Sequence, residues 1–213
     1  IYTLNHDINN IENILNVDRV LWYFAASTVM PDLDAYNGMY MHNFYLYKNS
    51  RSDQFEIIPW DKDNTFGGAM INTIIEEGGG PYTIYNWDPF YFENDESRPL
   101  FSKLIAIPLY KKIFSAHIRT IIEEIYNVQY FQELTYGIQD IIELEAQNDP
   151  NHFFPFTFGD YFEYNVDNYL STFGSYWCGI TSTIIPRRNY LLNHNEISQS
   201  TPVIHEIIQE NDM

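Results

Sequence analysis

The chain is short of positive charge. Lys and Arg number 11 against 29 Asp and Glu, a formal net charge of −18. Phosphate-backbone neutralisation needs a basic footprint, so the balance argues against a nucleic-acid binder. Docking on anionic lipid surfaces is disfavoured for the same reason. Cysteine is almost missing: Cys178 stands alone. That excludes an intramolecular disulfide and a cysteine zinc cluster, and a lone thiol of this kind reads as a small buried apolar residue. No apolar run approaches the roughly 18 residues of a membrane span. There is no initiating Met; the first residue is Ile1, which reads as a processed product or a fragment.

Core formers, in contrast, are plentiful. Hydrophobic residues make up 45% of the 213, with 18 Tyr and 15 Phe, too many for a disordered chain despite its charge. The length suits one domain, or one large domain with a small appendage. Ile11, Ile14, Leu15, Val17, Val20, Leu21 and Phe24 fall largely at helical spacing, predicting a helix over residues 11–30. Asn16 or Asp18 would cap its main part, and Pro31 ends it. Asn43–Lys48 and Phe55–Trp60 are aromatic and β-branched and flank the turn-rich Asn49-Ser50-Arg51-Ser52-Asp53, the pattern of a β-hairpin. Pro59, lacking an N–H, should fray or bulge the second strand before Asp61. Residues 62–99 read as irregular. Helical patterns follow from Leu100, with Pro108 as break or restart, then over Phe131–Leu144 and from about Thr181 to Asn193 around Pro186. Periodicity assigns nothing between Asn151 and Trp177. The class is α+β: a small hairpin followed by a mostly helical mass.

The chemistry concentrates between Asp32 and Gly68. A hairpin folds its ends together, so Asp32, Asp34 and Asn43 before it should meet Asp61 and Asp63 after it. Carboxylates converging from two loops repel one another, and a hard divalent cation relieves that repulsion. Oxygen-only ligands suit Mg²⁺ or Mn²⁺. Other sites are weaker. Gly78-Gly79-Gly80 lacks the spacing of a nucleotide-binding glycine loop and reads as a plain loop. The Asp61 loop is no EF-hand, because Phe66 and Asn72 stand where Gly and Glu are needed. His42 reads as structural, Arg98 as one half of a structural salt bridge, and Arg187-Arg188 as surface cations paired with surplus carboxylates. His152, His194 and His205 lack ligand spacing. Trp60 reads as core or as a ligand-facing wall.

The run Met41-His42-Asn43-Phe44-Tyr45-Leu46-Tyr47-Lys48, followed by Phe55-Glu56-Ile57-Ile58-Pro59-Trp60-Asp61-Lys62-Asp63-Asn64-Thr65-Phe66-Gly67, resembles the signature of the CotH kinase family, spore-coat-type and bacterial surface proteins. Ser97–Leu104 resembles that family's helix start at Arg-Pro-Leu, and Pro186–Leu192 its closing helix. Asp32-Leu33-Asp34 stands where the family has Asn-Trp-Asp. The resemblance implies an atypical protein-kinase fold, with residues 1–195 as the C-terminal portion of the domain and 196–213 as a tail or the start of a following segment. The nucleotide-binding lobe, with its Lys, would lie upstream and be largely absent from this chain. It further implies ATP with Mg²⁺ or Mn²⁺, a protein Ser or Thr substrate, and a place outside the cytoplasm or at a cell or spore surface. Asp34 would be the catalytic base. Asp61, with Asn43 and Asp63, would hold metal, and Asn43, Trp60 and Asp61 would line the cofactor site. Two other readings of the same residues stand beside it: a non-catalytic surface-assembly or binding module with a structural divalent cation, and a metal-dependent hydrolase.

Overall fold

The structure, a computed structural model, describes residues 2–67, 81–151, 156–172 and 175–199. The Gly78–Gly80 run, Gly68, His152 and residues 200–213 of the expected tail lie outside them.

A short helix α1 (Tyr2–His6) and a 3₁₀ turn (Ile8–Asn13) lead into α2 (Val17–Val29). The predicted helix over 11–30 is therefore two pieces. The break falls at Ile14 and Leu15 because their backbone is used elsewhere: Phe55 N–H donates to the Ile14 carbonyl at 2.6 Å, and Asn16 N–H to the Phe55 carbonyl at 2.9 Å. That parallel bridge ties the hairpin to the start of α2. Asn16 is the cap, its side chain accepting from Arg19 N–H. The helix stops one residue before Met30-Pro31, as the proline requires.

The hairpin pairs β1 (Phe44–Lys48) with β2 (Phe55–Pro59), antiparallel, Phe44 opposite Pro59 and Leu46 opposite Ile57. Period-2 alternation then fixes its faces. Ile57 is buried, with Phe44 and Phe55 against the core, while Tyr45, Tyr47 and Ile58 face outward and are exposed. Pro59 is the last strand residue, and the chain turns immediately afterwards through a left-handed Asp61 (φ 47°).

Beyond α3 (Pro81–Tyr85), α4 (Pro99–Ile105) and α5 (Pro108–Glu124) each begin with proline at the first turn, where its missing N–H is harmless. Pro108 is thus a restart. The core is built where α5 and α4 pack on α2: Leu21, Phe24, Phe101, Leu104, Phe114, Ile118 and Ile122 are all fully or almost fully buried. Phe101 meets Phe24 edge-on at 5.1 Å and Phe114 at 5.8 Å. Each such ring stabilises by about 1.5–3 kcal/mol relative to exposure. Next comes α6 (Val128–Gln147), capped by Asn127. The aromatic stretch that periodicity left unassigned contains a π-helical turn (Gly159–Tyr164), α7 (Asn165–Asp167) and a second small hairpin, β3 (Leu170–Thr172) with β4 (Ser175–Trp177). The last helix, α8 (Ile180–Asn193), runs through Pro186. The whole is helix-rich α+β. Cys178 is buried, and burial pushes its thiol up to about 12, as expected of an unreactive core cysteine. Among the described residues, no helix is long and apolar enough to cross a membrane.

One expectation is overturned. Arg187 is no surface cation: it is completely buried. Its guanidinium donates to the Thr28 carbonyl at 2.7 and 3.2 Å, to Tyr85 at 3.1 Å and to Trp87 at 2.5 Å. Thr28 is in the last turn of α2, whose carbonyls have no partner within the helix and carry the negative end of its dipole. A five-donor fork satisfies those carbonyls where a surface carboxylate was expected to satisfy Arg187. Arg98 is structural, as read from the sequence. It pairs with Asp95, donates to the carbonyls of Gly38 (3.1 Å) and Met39 (2.9 Å), and lies over the Phe92 ring.

Candidate functional site

Two loops meet at the open end of the first hairpin. One follows α2 and carries Asp32 and Asp34. The other follows β2 and carries Asp61–Gly67. Three contacts join them: Lys62 Nζ to Asp32 Oδ2 at 2.9 Å, Asn64 Nδ2 donating to Asp34 Oδ2 at 2.6 Å, and Gly67 N–H to the Pro31 carbonyl at 2.8 Å. Lys62 also donates to the Asn43 carbonyl at 3.2 Å and sits over the Tyr23 ring. Trp60 N–H closes the ribbon on the same Asn43 carbonyl at 3.0 Å. Asn43 and Asp61 both adopt left-handed backbone, at φ 55° and 47°, a conformation that Asn and Asp tolerate better than most residues. Gly38 makes the first loop possible: a Cβ there would lie 2.5 Å from the Asp32 carbonyl and against that of Leu33.

The carboxylates divide into two kinds. Asp32 and Asp34 are buried. Asp32 is committed to Lys62 and to the Asp34 N–H. Asp34 accepts from Asn64 and has His42 Nε2 at 4.0 Å. Asp61 and Asp63 are exposed, and their side chains have no hydrogen bond or ion pair among the described residues. No three His, Cys, Asp or Glu side chains are grouped to hold a metal among those residues. The expected convergence of four carboxylates is thus a convergence of the two loops, with one pair inside and one pair outside. The donor chemistry still fits Mg²⁺ or Mn²⁺. Mg²⁺ commonly takes one or two carboxylates and completes its shell with water and substrate phosphates, and Asp61 and Asp63 are two exposed carboxylates close together in the chain. Trp60 is 58% exposed, edge-on to Tyr45 at 5.7 Å, so it is a surface wall of the hairpin and no part of the core. A cleft of about 730 Å³ opens beside the site, with Tyr23, Met30, Asp32, Lys62, Phe66 and Phe131 among its walls.

Sequence reasoning missed Lys62 and Asn64, the residues that hold the buried aspartates. Their signal was their place inside Asp61-Lys62-Asp63-Asn64, one cation and one amide alternating with carboxylates. Burial raises the Asp32 carboxyl above its ordinary 3.8, with the Lys62 ammonium drawing it part of the way back. Replacing Lys62 with Met removes that opposing influence, so Asp32 should rise further. A carboxyl raised only in the folded state costs stability above its folded pKa and nothing below the unfolded value. Lys62→Met should therefore lower stability by about 1–3 kcal/mol at neutral pH. The deficit should shrink as pH falls towards 3.8, and urea unfolding of both proteins across that range measures it. A deficit that grows in acid would refute the assignment.

Compared with known proteins, residues 3–211 match the family model described as CotH kinase protein. The comparison with curated proteins gave no match.

Proposed function

The chain belongs to the CotH kinase family, and on that premise we propose that it carries the catalytic loops of an atypical kinase that transfers the γ-phosphoryl of ATP to a protein Ser or Thr. The observation that carries the reading is the division at the mouth of the hairpin: a buried, hydrogen-bonded Asp34 beside a turn whose exposed Asp61 and Asp63 have no side-chain partner among the described residues. Phosphoryl transfer is mostly positioning and charge neutralisation. In this reading Asp34 accepts the proton of the acceptor hydroxyl and aims its oxygen, and Asn64 fixes the carboxylate so that one oxygen stays available. Asp61 holds the divalent cation, with Asp63 and the Asn43 carboxamide as further donors; Trp60 stands at the rim as a stacking surface for the nucleotide. When bound, Mg²⁺ or Mn²⁺ supplies charge neutralisation along the phosphates. Lys62, by neutralising Asp32, keeps a second buried negative charge from opposing the nucleotide. A chain of net charge −18 repels free ATP, so binding should require the cation.

Titration calorimetry of ATP with and without Mn²⁺ tests this. Binding is expected only with the metal, and Asp61→Ala should weaken it by at least tenfold, about the 1.5–3 kcal/mol of one charge-assisted contact. Asp61 is exposed but its backbone is left-handed, which Ala tolerates less well, so the variant should keep its circular dichroism with a melting point only a few degrees lower. Metal-independent binding, or binding untouched by Asp61→Ala, would refute the site.

A further inference from the structure

Among the described residues the longest helix, α6, is poorly covered. Of the 20 residues of α6, only Phe131 is buried. A helix this poorly packed should be polar all round, yet α6 places Leu134, Ile138, Ile141 and Leu144 on one outward stripe, Ile141 81% and Leu144 68% exposed. Gly137 lies within the stripe, and a Cβ there would meet nothing within 4 Å. Apolar exposure of this extent marks an interaction surface. The charge around it is of one sign. Glu133 and Asp140 border the stripe, Glu145 falls within it, and α6 contains no Lys or Arg.

That charge selects the occupant. A second copy would bring another acidic helix and another −18 of net charge. The chain's own residues 201–213 carry Glu206, Glu210 and Asp212 with no Lys or Arg. An anionic bilayer would be repelled as well. We propose that the α6 stripe is a docking surface for a cationic amphipathic segment of another protein, its apolar anchors at helical spacing over Leu134–Leu144 and its Lys or Arg side chains against the flanking carboxylates. Helix-on-groove docking uses this combination of anchors and complementary rim. The inference is independent of phosphoryl transfer.

The test uses the full chain and a synthetic peptide of about 18 residues with Leu at i, i+3, i+4 and i+7 and Lys elsewhere. Fluorescence anisotropy should show saturable binding at least tenfold tighter than that of a same-composition peptide with the Leu spacing scrambled. A Glu-for-Lys version should not bind, and raising salt from about 0.1 to about 1 M should weaken the complex. Ile141→Ser/Leu144→Ser should weaken it at least tenfold with an unchanged melting point, since both side chains are exposed. Equal affinity for the scrambled peptide, or indifference to the double substitution, overturns the proposal. Two further results would also overturn it, by naming another occupant. One is a dimer in sedimentation that the double substitution dissolves, which puts a second copy on the stripe. The other is amide protection in α6 that falls in Ile207→Ser/Ile208→Ser, which puts the chain's own C-terminal residues there.

Discussion

Arg187→Leu is expected to cost about 2–4 kcal/mol and to lower the melting temperature by roughly 10 °C in a chain of this size. Leucine relieves the expense of burying a cation, whose pKa burial already pulls down to about 10. It also strands three carbonyls, those of Thr28, Tyr85 and Trp87, at about 1–3 kcal/mol each. The second effect outweighs the first because Thr28 and Tyr85 sit at helix ends and Trp87 in the segment just after α3, where the helices' own N–H groups do not reach to replace the guanidinium. Lysine sharpens the prediction. Arg187→Lys keeps the buried charge and loses the planar fork, so it should be at least as damaging as leucine, although it is the conservative change. Arg188→Leu, next door and half-buried, should fall within about 0.5 kcal/mol of the parent. Thermal melts of the three variants decide it. A Lys variant as stable as the parent would mean that charge alone, without the fork, holds the end of α2.

Arg187 also shows what the sequence could not display. The residues it satisfies are 100 to 159 positions away, and no local pattern separates a cation destined for three carbonyls from one destined for water. Lys62 and Asn64 were hidden for the same reason, since each reaches an aspartate 30 residues earlier. What was legible rests on local physics. The stripe of α2, the proline starts of α4 and α5, the Asn16 cap and the alternation of Phe44–Lys48 against Phe55–Pro59 are written in neighbouring residues. So is the closeness of the loops bearing Asp34 and Asp61, because a paired hairpin brings its own ends together. The division of the aspartates into buried and exposed pairs was not legible. It depends on which of them meets Lys62 and Asn64, a tertiary outcome. The π-helical turn and second hairpin between Gly159 and Trp177 escaped likewise. Segments of three to six residues take their conformation from what they pack on, and they are too short to express a period.

Asp34→Asn should separate positioning from binding. The substitution is isosteric, and the new amide oxygen can still accept the Asn64 Nδ2 hydrogen bond that now reaches Asp34 Oδ2 at 2.6 Å. The loop, its ties to Lys62 and Pro31, and the exposed carboxylates of Asp61 and Asp63 should therefore persist, and the melting temperature and Mn²⁺-dependent ATP affinity should stay close to the parent's. What an amide cannot do is accept a proton from an incoming hydroxyl. Removing a general base costs about 10²- to 10⁴-fold in rate, so transfer of labelled phosphate from ATP to a Ser/Thr protein acceptor should fall by that factor at unchanged nucleotide binding. Asp61→Ala should give the opposite signature, with weakened binding as the primary loss. The two variants together locate the chemistry. Should Asp34→Asn transfer phosphate at the parent's rate, the buried aspartate is architecture, and the hydroxyl must be oriented from elsewhere. Should it lose ATP along with activity, the two loops form one binding unit, and the division between inner and outer carboxylates has no catalytic meaning.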